Sequence, residues 1–101
     1  MDGKWLEDFL CVARTGSFSR AATERHITQS AFSRRIKALE QWVGSALIDR
    51  STYPTRLTPG GERFCEVVEQ VLSSLQEVRR ELRAAAALRG DKLRVSAAVA
   101  P

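Results

Sequence analysis

The fold is decided by residues 27–44, which read ITQSAFSRRIKALEQWVG. Thr28 suits a helix N-cap and Gly44 a helix stop, so this stretch predicts a helix from Gln29 to about Val43. At about 100° per residue, the apolar side chains form one core stripe: Phe32, Ile36, Leu39 and Val43. The opposite face carries side chains of the types that contact phosphates and base edges: Ser30, Ser33, Arg34, Lys37 and Gln41, with Gln29 in the first turn.

Two shorter helices are predicted before this one. Apolar residues recur at helical spacing over residues 4–15, and Gly16 follows as a stop. Ser17 then fits the N-cap of a second helix over residues 18–24. The small pair at 21–22 lets the second helix approach the third closely. Two helices joined by a short turn, with a polar and cationic outer face, are typical of a helix-turn-helix.

A small β-hairpin is predicted after the third helix. Ala46–Ile48 has the pattern of a short strand and Arg56–Leu57 of the returning strand, on either side of turn residues 51–55. The hairpin would form a wing with Arg50 and Arg56 at its base. An irregular loop stays open as the alternative, because the strands are so short.

A long helix is predicted from Pro59 to Arg89. Thr58 is an N-cap candidate and proline is favoured at the first helical position. Apolar residues then alternate spacings of four and three, the seam of a coiled coil: Phe64, Val68, Val71, Leu75, Val78, Leu82 and Ala85. Such a helix spans about 46 Å, which exceeds what a three-helix domain can cover. The pattern therefore predicts a dimerisation helix, with packing along its own domain as the alternative.

Composition narrows the functional classes. The chain has 101 residues, enough for one domain, with 16 Lys and Arg against 12 Asp and Glu. The positive charge is concentrated between Arg14 and Lys37, where six basic residues and one acid give a local balance of +5. No apolar run is long enough for a membrane helix, and charges at Lys4 and Glu7 interrupt any signal peptide. The absence of such a run predicts a cytoplasmic protein without a membrane partner. A run of like charges is most often a solvated helix face, so the +5 stretch indicates nucleic acid only in the context of the predicted helix-turn-helix.

Catalytic and metal chemistry find little support in the sequence. The two cysteines, Cys11 and Cys65, form no C-x-x-C pair, and His26 is the one histidine. We therefore predict no metal, no cofactor and no enzymatic activity. Cys11 is expected to face away from the core stripe of the first helix. A packed thiol is nevertheless the expected state of both cysteines, with redox sensing as the alternative. Trp42 and Tyr53 are expected to be packing residues.

Spaced positions from residue 4 to about residue 89 agree with one family pattern: Phe9, Ala13, Gly16-Ser17-Phe18, Ala21-Ala22, Thr28-Gln29-Ser30, Ser33-Arg34, Ile36, Leu39-Glu40, Gly44, Leu47, Arg50, Leu57-Thr58 and Gly61. With the order of elements, they resemble the N-terminal part of a LysR-type transcriptional regulator. Residues 5–10 and 32–36 resemble the hypochlorite-responsive branch of that family in particular. Residues 93–95 resemble the first strand of the family's effector-binding domain.

The resemblance implies a winged helix-turn-helix, mainly α, that binds double-stranded DNA of dyad symmetry. It implies that Gln29, Ser30, Ser33 and Arg34 face the major groove. Our full set of candidate DNA-binding residues is Thr28, Gln29, Ser30, Ser33, Arg34, Arg35, Lys37, Arg50 and Arg56. Within it, Arg34 is the first choice for a base contact, whereas Arg35 and Lys37 are expected to contact phosphates.

The resemblance also implies an organisation in three parts. Residues 1–58 would be the DNA-binding domain, residues 59–89 the linker helix and residues 90–101 the beginning of an effector-binding domain. The chain is expected to form a homodimer through the linker helix. For the full-length protein, a tetramer is the alternative. An effector ligand or oxidant would act only through the further domain. A coiled-coil interaction module without specific DNA readout is the alternative function.

Two departures from the family pattern bear on the interface. Ala31 stands where the family usually has proline, a change that an early helical position tolerates. The wing tip at residues 51–55 lacks the family's usual basic cluster, which weakens the expected contact with the minor groove.

Overall fold

The computed structural model of the chain describes residues 2–90, and these form a mainly α-helical winged helix-turn-helix. The elements in chain order are α1 (Gly3–Thr15), α2 (Phe18–Glu24), α3 (Gln29–Val43), β1 (Ile48–Asp49), β2 (Arg56–Leu57) and α4 (Pro59–Arg89). The predicted fold class, with its long C-terminal helix, is confirmed. Residues 93–95, which resemble the first strand of an effector-binding domain, lie outside the described residues.

Local capping accounts for the helix boundaries. The side chain of Ser17 accepts a hydrogen bond from the backbone N–H of Arg20, and that of Thr28 accepts one from Ala31 N–H at 3.1 Å. Gly44 ends α3 in the left-handed conformation, with φ of 89°, which glycine adopts without the steric cost of a Cβ atom. The start of α3 at Gln29 and its stop at Gly44 were both predicted.

The hairpin is present, but its first strand begins later than predicted. Ile48 pairs with Leu57 and Asp49 with Arg56 in antiparallel register. The prediction that Ala46 and Leu47 belong to this strand is wrong, because their carbonyl groups accept hydrogen bonds from Thr58, at 2.7 Å from its hydroxyl and 3.0 Å from its N–H, and not from β2.

The hydrophobic core lies between the three short helices and the hairpin. Its buried side chains are Phe9, Cys11, Val12, Ala21, Ala22, Phe32, Ile36, Leu39, Leu47 and Ile48. Phe18 packs edge-on against Phe32, with ring centroids 5.7 Å apart. Three of the four residues in the predicted stripe of α3 are buried, and Val43 is partly buried against the same core.

Cys11 is a packed thiol, as expected, although it faces away from the predicted stripe of α1: it is 7% exposed and belongs to the core, because α2 covers that side of α1 and brings Ala21 O within 3.9 Å of Cys11 Sγ. Two packing expectations are wrong. Trp42 is 59% exposed, since it lies about 90° around α3 from the centre of the core stripe. Tyr53 is 82% exposed in the turn of the hairpin.

The chain divides into two compact units, Met1–Val68 and Glu69–Pro101. In the first unit Phe64 packs edge-on against Phe9, at 5.4 Å between ring centroids, and Val68 is 3% exposed. For these two residues the alternative prediction holds, in which the apolar stripe packs along its own domain and not against a partner chain. In the second unit the next four residues of the seam are between 46% and 64% exposed: Val71, Leu75, Val78 and Leu82. Among the described residues, no helix is both long and apolar enough to cross a membrane.

Candidate nucleic-acid interface

The face of α3 that points away from the core is polar and exposed. Gln29, Ser30, Arg34 and Lys37 are all exposed along it, and Ser33 is half-buried among them. Arg34 and Lys37 form no ion pair within residues 2–90, so their charges are available to a partner. The structure thus brings five of the nine sequence-predicted residues together on one helix face.

Thr28 stands at the start of this face and acts as the cap of α3. Its hydroxyl oxygen accepts the hydrogen bond from Ala31 N–H and lies 3.4 Å from the hydroxyl of Ser30. The N-terminal turn of a helix presents unpaired N–H groups and a partial positive charge. The first turn of α3 therefore adds favourable donors for a phosphate beside the exposed side chains.

A buried acid fixes the orientation of α3. Asp8 of α1 is fully buried and accepts hydrogen bonds from Arg25 Nε at 2.7 Å and from Arg35 Nη1 at 3.3 Å. These two bonds tie α1 both to the turn after α2 and to α3. The hydrogen bond with Asp8 also raises the pKa of Arg25 above its usual value. The sequence gives no signal for this role, because an acid in the second turn of a helix has the pattern of a solvated residue.

Arg35 is the candidate that the structure places apart from the others. Its guanidinium is directed toward α1, where it pairs with Asp8, and its side chain is 29% exposed. A phosphate contact by Arg35 stays a prediction, and it would compete with this internal ion pair.

The hairpin is joined to α3 through Glu40 and Arg50. The Glu40 carboxylate accepts hydrogen bonds from the N–H groups of Leu47 and Ile48. Arg50 Nη2 lies 3.4 Å from Glu40 Oε1, and Arg50 Nη1 donates to Ser33 Oγ at 3.0 Å. These bonds set the position of the wing relative to the exposed face of α3.

Arg56 is exposed on the second strand of the hairpin, opposite Asp49. Hydrogen bonds from the hydroxyl and the backbone N–H of Ser51 lower the pKa of Asp49, and the positive charge of Arg56 lowers it further. Arg56 stays exposed enough to meet a charged partner, whereas Arg50 lies against α3.

An open cavity of about 400 Å³ lies between α3, the start of α2 and the hairpin. Polar side chains make up its lining except for one phenylalanine: Ser17, Phe18, Ser19, Gln29, Ser33, Arg50, Thr52, Tyr53 and Thr55. Hydroxyl, amide and guanidinium groups at such a concave surface suit the phosphate oxygens and base edges of a nucleic acid.

The local charge of +5 overstates the positive charge that a partner would meet. Three of its six basic residues have internal acidic partners: Arg14 pairs with Glu24, and Arg25 and Arg35 pair with Asp8. Asp8 lies outside the counted stretch, so the sequence count could not include it. The cations that remain on the exposed face of α3 are Arg34 and Lys37.

Comparisons with known proteins agree with this geometry. The family model of the bacterial regulatory helix-turn-helix proteins of the lysR family matches residues 4–62. The chain is 38% identical over 98 residues to the HTH-type transcriptional regulator YjiE of Escherichia coli strain K12, and the match covers 97% of this chain and 32% of YjiE. It therefore spans about a third of the length of that relative.

Two solved structures resemble the chain as well. One is Vibrio fischeri DarR in complex with DNA, with a TM-score of 0.78 and 40% identity, covering 87% of this chain and 30% of DarR. The other is HypT from Salmonella typhimurium, a hypochlorite-specific LysR-type regulator, with a TM-score of 0.73 and 42% identity, covering 82% of this chain and 29% of HypT. The likeness to HypT matches, weakly, the predicted hypochlorite-responsive branch. Because the family model covers more than half of the chain, the chain belongs to the lysR family of bacterial regulatory helix-turn-helix proteins.

Proposed function

We propose that this chain is the DNA-binding part of a transcriptional regulator that binds double-stranded DNA sequence-specifically. The observation that carries the proposal is the exposed polar face of α3, on which Arg34 and Lys37 form no ion pair with any residue from 2 to 90. The structural likeness to DarR, which was solved in complex with DNA, supports it. A coiled-coil interaction module that does not bind DNA would not require this polar and cationic face of α3.

In the proposed complex α3 lies in the major groove. Arg34 donates two hydrogen bonds to guanine O6 and N7, Gln29 recognises adenine, and Ser30 and Ser33 contact neighbouring base edges. Lys37 contacts a phosphate, as does the first turn of α3 beside Thr28. Arg56 on the hairpin contacts the flanking backbone or minor groove.

The regulator is proposed to act as a homodimer. The exposed apolar stripe of the second unit would pair with the same stripe of another copy and place two α3 helices in successive major grooves, about 34 Å apart. This arrangement requires a DNA site of dyad symmetry. We further propose that residues 1–58 form the DNA-binding domain, residues 59–89 the linker helix and residues 90–101 the beginning of an effector-binding domain, through which an effector would act. For the full-length regulator a tetramer is the alternative to the dimer. We also propose a cytoplasmic location and no catalytic activity.

Selection of bound sites from a random pool of double-stranded DNA tests the proposal directly. The expected result is a preferred sequence with two symmetric half-sites. We expect Arg34→Ala to weaken binding to that sequence by about 1–3 kcal/mol and to relax the preference at one base pair of each half-site. Arg80→Ala, which removes an exposed arginine of the second unit, is the control. A selection without any preferred sequence would contradict the proposal, and an unchanged preference for Arg34→Ala would remove the role of Arg34.

Lys37→Ala tests the phosphate contacts separately from the base contacts. Because a phosphate contact carries no sequence information, we expect affinity to fall about equally for all DNA sequences. The slope of log affinity against log salt concentration should become shallower by about one. Titrations at several salt concentrations measure this slope, and a loss confined to the preferred sequence would show that Lys37 reads a base instead.

A further inference from the structure

Arg50 and Ser33 meet where the hairpin joins α3. Arg50 Nη1 donates to Ser33 Oγ at 3.0 Å, and Arg50 Nη2 lies 3.4 Å from Glu40 Oε1. The guanidinium also stacks over the ring of Phe18, 4.7 Å from its centroid. Contacts with α2 and α3 therefore hold this side chain of the hairpin in one place.

These contacts restrict the hydroxyl group of Ser33. A serine hydroxyl has one donor hydrogen and two acceptor lone pairs, and it can rotate to suit its partner. Arg50 carries no acceptor, so its bond with Ser33 uses one of the two lone pairs and leaves the hydrogen and one lone pair unused. Within residues 2–90 no acceptor takes that hydrogen, although a helical serine often bonds the carbonyl group four residues earlier. Because a hydroxyl that accepts a bond from a guanidinium is polarised by it, Ser33 becomes a stronger donor and a weaker acceptor.

Ser33 belongs to the proposed DNA surface. Ser33 and Arg50 line the open cavity beside Gln29, which lies one turn before Ser33 on α3. In the major groove the hydrogen-bond acceptors are purine N7, guanine O6 and thymine O4, whereas adenine N6 and cytosine N4 are donors. A hydroxyl that is polarised toward donating favours the acceptor set, whereas a hydroxyl without such a bond favours neither set.

We propose that Arg50 is a positioning residue for sequence recognition: it holds the Ser33 hydroxyl and biases it toward donating a hydrogen bond to a base acceptor in the major groove. The inference rests on the proposed function, since it needs α3 to lie in that groove. It also assigns Arg50 a role other than the phosphate contact predicted from its place at the base of the wing. Both terminal nitrogens of Arg50 already donate to protein oxygens, and Glu40 neutralises its charge.

The experiment compares the base preferences of wild type, Ser33→Ala, Arg50→Ala and the double variant, each by selection from random DNA. We expect Ser33→Ala to lower discrimination about five-fold at one base pair of each half-site, the value of one hydrogen bond. Arg50→Ala should lower discrimination at the same base pair. The double variant should lose no more than either single variant, because both changes act on the same donor.

Arg50→Lys separates positioning from charge. Lysine keeps the positive charge but lacks the planar fork that bonds Ser33 and Glu40 together. We expect Arg50→Lys to keep the salt slope of wild type and to lose the preference at the Ser33 position. Arg56→Ala is the comparison, since an exposed wing arginine should change the salt slope and leave that preference intact.

Two results would overturn the proposal. One is a salt slope shallower by about one in the Arg50 variants with the base preference unchanged, which would make Arg50 a phosphate contact. The other is a Ser33→Ala variant that keeps the full preference of wild type. Circular dichroism checks that each variant is folded, and if Arg50→Ala unfolds, the Arg50→Lys profile decides. If wild type selects no sequence at all, it is the proposed function that fails.

Discussion

Asp8 is the side chain that links the three helices of the core most directly. It is fully buried, and each of its carboxylate oxygens accepts a hydrogen bond from an arginine, Arg25 or Arg35. A buried carboxylate is tolerated when its oxygens are paired in this way. Because Arg35 belongs to α3, the acid on α1 also helps to orient the helix that we propose to read DNA.

We expect Asp8→Ala to lower the free energy of unfolding by about 3 kcal/mol, since it leaves two arginines without their partner. The value is at the lower end of the range for a broken buried ion pair, because both arginine side chains still reach water. Urea unfolding followed by circular dichroism measures it. Glu7→Ala is the control, because the exposed pair between Glu7 and Arg25 should contribute less than about 1 kcal/mol. Equal losses for the two variants would contradict the role of Asp8.

Residues of the candidate site could be predicted from the sequence where helical spacing alone determines whether a side chain is exposed. The period of α3 separates Phe32 from Arg34, and the structure leaves Arg34 exposed. Residues whose surroundings come from another element were not predictable. The partners of Arg35 and Arg50 lie 27 and 10 residues away in sequence, and Cys11 is buried because α2 folds over it. A sequence pattern carries no information about such distant partners.

At the scale of elements, helix boundaries were predictable and the strand boundary was not. The start and stop of α3 depend on Thr28 and Gly44, which act within a few residues of the helix end. The start of β1 depends on Thr58, which precedes α4 and bonds the carbonyl groups of Ala46 and Leu47. Local signals therefore fix the helices, and a tertiary hydrogen bond fixes the hairpin.

The start of α4 is closely packed on the segment before β1, and Gly61 is the residue that permits it. A Cβ atom at Gly61 would overlap the backbone carbonyl group of Leu47. We expect Gly61→Ala to lower the free energy of unfolding by about 1–3 kcal/mol, the usual cost of overpacking. Thermal and urea unfolding measure the change.

Gly60→Ala is the matched control for that prediction. A Cβ atom at Gly60 would lie 3.4 Å from Ser45 Oγ, the end of a flexible side chain. Alanine is favoured over glycine in a helix by up to about 1 kcal/mol, so this variant should be as stable as wild type or more stable. If both variants changed stability equally, close packing of α4 on Leu47 would be refuted.

For the whole molecule, the sequence pattern located the apolar stripe correctly but assigned too much of it to a partner. Phe64 and Val68 are covered within the first unit, whereas Leu75 and Leu82 are exposed in the second. Spacing alone could not divide the stripe, because both parts share one uninterrupted alternation of three and four. The exposed part, from Val71 to Leu82, is what remains to hold two copies together in the proposed dimer.

We therefore expect Leu75→Asp combined with Leu82→Asp to separate the proposed dimer into monomers. Burying one leucine contributes about 1.5 kcal/mol or more, and a symmetric dimer would bury four, so the dissociation constant should rise at least about ten thousand-fold. Sedimentation velocity measures the change. Ser73→Asp combined with Ala84→Asp adds the same charge on the opposite, exposed face of α4 and should leave the dimer intact.

The monomeric variant should still bind a single half-site, because residues of the first unit make the proposed DNA contacts. A dimer that survives the Leu75 and Leu82 changes would refute the seam, and a loss of half-site binding would show that the two units do not act independently.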